Sequence, residues 1–285
     1  MVNWIPYIAD KISEEIISAR PVSGGDISSA YHIDTAKREY FLKTNHASFA
    51  LKMFLAEQEG LQAIKETKTI AVPHVHFVDS FEGQSFLLMD YVKSKRPDNS
   101  DYQRLGSQLA RLHQYSHADF GFPTDNFIGS LPQQNNPHVN WPEFYWFERI
   151  LPQLQMALKD GLIQKNMMPE ERKAISLFQE ISGDINPSLL HGDLWGGNYL
   201  IATDGTPYLI DPAVYWGHSM VDIALSRLFG GFGPGFYEAY HEIIPQSPQY
   251  NIQIELYQLY YLLVHLNLFG SSCYPSVASI LKRYF

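Results

Sequence analysis

Two short apolar runs, Ser188-Leu189-Leu190 and Tyr199-Leu200-Ile201, bracket the loop His191-Gly192-Asp193-Leu194-Trp195-Gly196-Gly197-Asn198. Short apolar runs bounded by turn residues read as buried strands, so a polar loop with Asp193 and Asn198 five positions apart is suspended between two pieces of core. The second run is then turned back. Asp204-Gly205 favours a tight turn with positive backbone φ and pairs Tyr199–Ala202 with Tyr208–Ile210 as a hairpin, which ends at Asp211, eighteen residues beyond Asp193. A carboxylate, an amide and a second carboxylate are thereby fixed to one strand-loop-hairpin unit, and the rest of the chain has to be built around it.

That donor set suits phosphoryl transfer, which needs a carboxylate to accept the proton of an attacking hydroxyl and hard oxygen ligands for a magnesium ion. The spacing of Asp193 and Asn198 also matches the Asp and Asn of the protein-kinase catalytic loop. Asp211-Pro212 alone reads equally well as a turn opener; its register with Asp193 and Asn198 favours a metal role. Upstream, Lys43 closes the apolar strand Tyr40-Phe41-Leu42. That suits a lysine held against nucleotide phosphates, although most lysines at strand ends are simply solvated. A carboxylate partner comes from the next helix, where Glu57 shares the buried stripe of Phe54, Leu61 and Ile64 while Glu59 points to solvent. Ser23-Gly24-Gly25-Asp26 places Gly24 and Gly25 where backbone N–H groups can approach phosphate oxygens, and ordinary turns use the same dipeptide. Met89-Asp90-Tyr91 ends a strand that fits either a nucleotide-binding hinge or a plain buried strand. Asp222 opens an apolar helix as an N-cap or braces the Asp193 loop, and the two readings are compatible.

The wider pattern is α+β with two lobes. A leading helix is expected over Ile5–Ala19 from apolar residues at helical spacing. Short strands are expected at Ala30–Ile33, Tyr40–Lys43, Val75–Phe81 and Phe86–Val92, with one helix at Phe49–Lys65 between them. These make a small sheet lobe, residues 1–92, with the crossing point at Tyr91–Lys95. Residues 93–285 read as mainly helical, with helices at Tyr102–Tyr115, Glu143–Lys159, Pro169–Glu180 and Glu255–Phe269.

A formal charge of −9 with no long basic run disfavours nucleic acid and anionic membranes as partners. No apolar run approaches the roughly 18 residues of a membrane helix, and the first twenty residues lack a signal-peptide pattern. One cysteine, Cys273, excludes an internal disulfide and a cysteine metal cluster. The expectation is a soluble, cytoplasmic monomer acting on a small or protein-linked molecule.

The chain resembles the fructosamine/ketosamine kinases, within the protein-kinase-like and aminoglycoside-phosphotransferase-like fold. The likeness is carried by Gly24-Gly25-Asp26-Ile27, Tyr40-Phe41-Leu42-Lys43, Val72-Pro73, His191-Gly192-Asp193-Leu194-Trp195-Gly196-Gly197-Asn198, Ile210-Asp211-Pro212-Ala213-Val214-Tyr215-Trp216-Gly217-His218, Leu228-Phe229-Gly230-Gly231-Phe232 and His265-Leu266-Asn267-Leu268-Phe269-Gly270. It implies ATP and Mg2+ as cofactors and transfer to a ketosamine hydroxyl, commonly O3, with Asp193 as base, Asn198 and Asp211 on the metal, and Lys43 with Glu57 on the phosphates. Loss of the amine from the phosphorylated product would make the activity a deglycation repair, and bacterial-type members are expected to prefer ribulosamines or erythrulosamines. Trp195, whose indole can pack on a sugar face, joins Tyr215, His218 and His265 as substrate residues, with His191 and Asp222 in support. Two rivals remain: another small-molecule kinase, for an aminoglycoside or choline, and a catalytically silent nucleotide-binding module. Gly192 and Pro212-Ala213 replace the Arg and Phe-Gly of protein kinases, so activation-loop control is not expected, and Asp26 stands where some relatives carry a redox cysteine.

Overall fold

The computed structural model describes residues 4–22 and 27–285. Gly24 and Gly25 lie outside the described residues. Helix α1 spans Ile5–Ile12 and ends at Ser13, which adopts a left-handed φ of 54°. The helix expected to reach Ala19 therefore stops early, and Ile16–Val22 forms strand β1. Ile16 and Ile17 are β-branched and favour a pleated surface, and the Glu14 carboxylate accepts from Thr35 Oγ1, 2.5 Å away, and from the Tyr40 hydroxyl. Both contacts draw the chain onto the sheet. Ile16 and Ala19 continued the helical spacing by coincidence.

Strands β2 (Ser29–Thr35), β3 (Glu39–Asn45), β4 (Val75–Phe81) and β5 (Gln84–Asp90) complete an antiparallel sheet of order β1-β2-β3-β5-β4. Helix α2 (Ala50–Thr67) follows β3 and buries Phe54, Leu61 and Ile64, with Phe54 against Leu87 and Met89 of β5. The chain then crosses to the helical half through β6 (Ser94–Lys95), which pairs with β10 (Tyr199–Ala202). Helix α3 (Asn99–His113) starts at a capping box in which the Asp98 and Asp101 side chains each accept from the other's backbone N–H.

Two short strands that sequence periodicity does not disclose, β7 (Asn126–Ile128) and β8 (Leu131–Gln133), form a hairpin. Helix α4 (Trp141–Phe144), a π-helical stretch Tyr145–Ile150 and α5 (Leu151–Lys159) run on as one rod, where a single helix over Glu143–Lys159 was expected. Helix α6 (Glu171–Ser182) leads to β9 (Ser188–Leu190), the first of the two apolar runs. β10 and β11 (Pro207–Leu209) form the expected hairpin, with positive φ on Gly205 alone, and β12 (Tyr215–Gly217) pairs back onto β9. Helices α7 (Met220–Leu228), α8 (Pro234–Ile243), α9 (Tyr250–Phe269) and α10 (Tyr274–Tyr284) close the lobe around a core rich in buried aromatics, among them Trp141, Tyr145, Tyr257 and Tyr260.

Candidate active site

The loop after β9 is held by a buried carboxylate. Asp222, in the first turn of α7, accepts the His191 N–H at 2.7 Å and the Gly192 N–H at 2.9 Å. The helix itself begins at Ser219, so Asp222 braces the loop and does not cap the helix. His113 lies 3.1 Å from the same carboxylate and 2.8 Å from the Tyr240 hydroxyl, all of it inside the core. His191 Nε2 donates to Ile210 O, so its Nδ1 is free to accept the Asp193 N–H at 3.2 Å. Burial lowers the His191 pKa and keeps the ring neutral. Gly192 has φ of 81°, and a Cβ there would lie 2.0 Å from Ala213 O. This position admits only glycine, which accounts for the absence of the protein-kinase Arg.

Asp193 thereby reaches the foot of the cleft between the lobes. Asn198 Nδ2 donates to both Asp193 O and Asp193 Oδ2 at 2.9 Å, which leaves the Asn198 amide oxygen as its outward-facing group. Asp211 follows at a left-handed φ of 54°, a strained geometry for a non-glycine residue of the kind that persists where surrounding contacts over-determine it. From the other lobe, Lys43 donates to Glu57 at 2.8 Å and also to Asp211. Burial works against the Lys43 charge, but Asp211 and Glu57 outweigh it and hold the ammonium protonated. Burial, together with the Asp211 charge, pushes Glu57 upward despite Lys43. Asp193 is pushed up to about 7 by desolvation, with the Asp211 charge adding to it and Asn198 opposing. Hard oxygens on Asn198 and Asp211, with no amide nitrogen left to compete, are the donor set a magnesium ion takes.

These side chains line one cavity of about 390 Å3. Helix α2 closes one side, and its Gly60 passes so close to the segment after Asp211 that a Cβ would be 3.2 Å from both Pro212 and Val214 side chains. Glu59, exposed as expected, accepts from Thr124 Oγ1 of the opposite lobe at 2.6 Å. The unforeseen β7–β8 hairpin contributes Phe127, Ile128 and Gly129 to the wall. It is tied down by a buried chain in which the Tyr260 hydroxyl donates to Gln133, Gln133 donates to Asn126 and to Ala213 O, and Asn126 donates to Val214 O. A family profile described as fructosamine kinase matches residues 6–285.

The chain belongs to the fructosamine kinase family. It is accordingly a phosphotransferase that uses ATP. A Synechocystis protein named probable ketoamine kinase is 38% identical over 97% of this chain and 95% of its own length. The chloroplastic protein-ribulosamine 3-kinase of Arabidopsis thaliana is 36% identical over 99% of this chain and 86% of its own length. Among solved structures, a Haemophilus somnus protein named as a fructosamine-3-kinase superposes with a TM-score of 0.87 at 27% identity, covering 99% of this chain and 96% of that one. An aminoglycoside phosphotransferase, at TM-score 0.66 and 14% identity over 99% and 98% of the two chains, shares the fold.

In this fructosamine kinase family member, Trp195 and His265 line the cavity. Trp195 is 41% exposed, and its indole lies over Gly197, where a Cβ would come within 2.4 Å of the ring. The second glycine of the Trp-Gly-Gly run is therefore a seat for the indole. Tyr215 and His218 correct the expectation of a substrate role. Tyr215 is fully buried beneath the Arg149 guanidinium, 3.9 Å from its ring. His218 is packed among Trp141 and Tyr257 and accepts the Met220 N–H, with burial lowering its pKa to about 3. Neither lines the cavity, and both are buried in the core. Met89, Asp90 and Tyr91 lie at the end of β5 and outside the cavity lining. Asp90 N–H bonds His74 O, Tyr91 N–H bonds Glu39 O, and the Tyr91 ring stacks on His32 at 3.9 Å.

Proposed function

We propose that this chain transfers the γ-phosphoryl group of ATP to a sugar hydroxyl, O3, of a ketosamine, with ribulosamine or erythrulosamine adducts as the preferred acceptors and deglycation of proteins or metabolites as the outcome. The reading is carried by one observation: Lys43, Glu57, Asp193, Asn198 and Asp211 converge on a single cavity whose outer wall includes Trp195. Residues 1–92 would supply the nucleotide lobe and residues 93–285 the acceptor lobe. Gly24 and Gly25 would approach the phosphates.

In this scheme Lys43, oriented by Glu57, leaves Asp211 to contact the α and β phosphates. Asn198 Oδ1 and the Asp211 carboxylate would hold magnesium, which would neutralise charge on the phosphates. Asp193 accepts the proton of the attacking hydroxyl, its carboxylate held in place by Asn198. Its raised pKa suits a base working near neutral pH. Trp195 orients the sugar through its apolar face, and His265 contacts the acceptor. The rest of the barrier reduction comes from positioning and electrostatic preorganisation.

The test is incubation with ATP, magnesium and matched ribulosamines, erythrulosamines, fructosamines, aminoglycosides and choline, with phosphorus NMR of the products. Phosphate on O3 of a ketosamine is the expected result. Transfer only to a non-ketosamine acceptor would overturn the reading.

A further inference from the structure

Phosphoryl transfer leaves the mouth of the cavity unexplained. Phe229 and Phe269 line it although they are 42% and 58% exposed. Phe229 follows α7, and Phe269 is the last residue of α9. His265 lies between them, its ring centroid 4.6 Å from that of Phe229 and 5.5 Å from that of Phe269. His265 Nδ1 is 2.9 Å from Tyr261 O. A carbonyl only accepts, so in the neutral ring the proton is on Nδ1 and Nε2 is a bare acceptor. Nε2 has no hydrogen-bond partner among the described residues.

Every element of this box favours positive charge. Aromatic faces attract cations, the imidazole offers a lone pair, and α7 and α9 both bring C-terminal ends, which carry partial negative charge, to the same rim. Among the described lining residues Lys43 alone is a lysine or arginine, and it is committed to Glu57 and Asp211. None of the described lining residues offers a free lysine or arginine to a carboxylate.

We infer that Phe229, His265 and Phe269 form the subsite for the acceptor's amine, taking its ammonium nitrogen and favouring apolar or aromatic substituents over ones that carry a carboxylate. The inference rests on the ketosamine reading above. An alkylamine nitrogen is protonated near neutral pH. Bound in the box, it donates to His265 Nε2 while its substituent packs between the two phenylalanines.

The experiment compares adducts of one ketose with benzylamine, propylamine and glycine, and the amine-free ketose itself, as substrates or as competitors where turnover is slow. The expected KM for the benzylamine adduct is below that for the glycine adduct by on the order of tenfold; the ammonium is common to both, and the gap reflects the phenyl ring packing between the phenylalanines where the carboxylate finds no partner. Phe229→Ala, on an exposed turn, should narrow that gap. His265→Phe keeps the packing and removes the acceptor, so it should raise KM for all the adducts by a larger factor than for the amine-free ketose. Equal KM values across the three amines would overturn the inference while leaving the kinase reading intact. So would a His265→Phe penalty as large for the amine-free ketose as for the adducts. Absence of transfer to any adduct would remove the ketosamine reading and this inference with it.

Discussion

On the floor of the cavity each polar group already has a partner, Lys43 with Glu57 and Asp211, Asn198 with Asp193, whereas at the mouth Trp195, Phe229 and Phe269 stand with open apolar faces around the one bare nitrogen of His265. Apart from the Lys43–Asp211 contact, which nucleotide binding would exchange, the floor is preorganised, and its groups cost little to align at the moment of reaction. The mouth is left unsatisfied in the absence of an acceptor. Rate should therefore depend on the floor and choice of acceptor on the mouth.

The largest test of that division is Asp193→Asn, which removes the base while keeping the shape. A drop in kcat on the order of a thousandfold is expected, with ketosamine KM nearly unchanged, measured by steady-state phosphorylation. A comparable rise in KM would show that floor and mouth are not separable. Next comes pH. Burial and the Asp211 charge raise Asp193 to about 7, so the base is protonated and inactive below that value. kcat/KM should fall about tenfold per unit below pH 7 and level off above it, and a flat profile between pH 5.5 and 8 would remove Asp193 as the titrating base. The smallest effect is expected at Gly197. Gly197→Ala displaces the Trp195 indole from its seat and should raise ketosamine KM a few-fold, of the order lost with one aromatic contact, with ATP KM held constant.

The two regions also differ in how far they can be read from the chain. Asp193, Asn198 and Asp211 fall within nineteen consecutive residues on one strand-loop-hairpin unit, and Lys43 with Glu57 needs only a strand end and a helical stripe, so local periodicity brings out all five. The mouth gathers Phe127, Trp195, Phe229 and the α9 pair His265 and Phe269 from four separate elements. Apart from the helical i,i+4 spacing of His265 and Phe269, no spacing rule links these elements. Phe127 depends on the β7–β8 hairpin, whose three-residue strands are too short to show alternation. Tyr215 and His218 were drawn toward the pocket by nearness to Asp211 along the chain, yet β12 pairs with β9 and turns both into the core. The first helix overran because Ile16 and Ala19 happened to extend a helical period, and a positive φ at Ser13 left no trace in that pattern.

The close seating of Gly60 against Pro212 and Val214 fixes where the molecule can bend. Helix α2 is locked to the segment carrying Asp211, and Thr124 fastens it again through Glu59. The sheet packs on the same helix, where Phe54 meets Leu87 and Met89, and Lys43 reaches across from β3 to Asp211. Helix α2 therefore bridges the two lobes, and any opening of the cleft has to loosen one of its two packings. Spectroscopic labels on α2, on β3 and beside Pro212 would show which of the two packings gives.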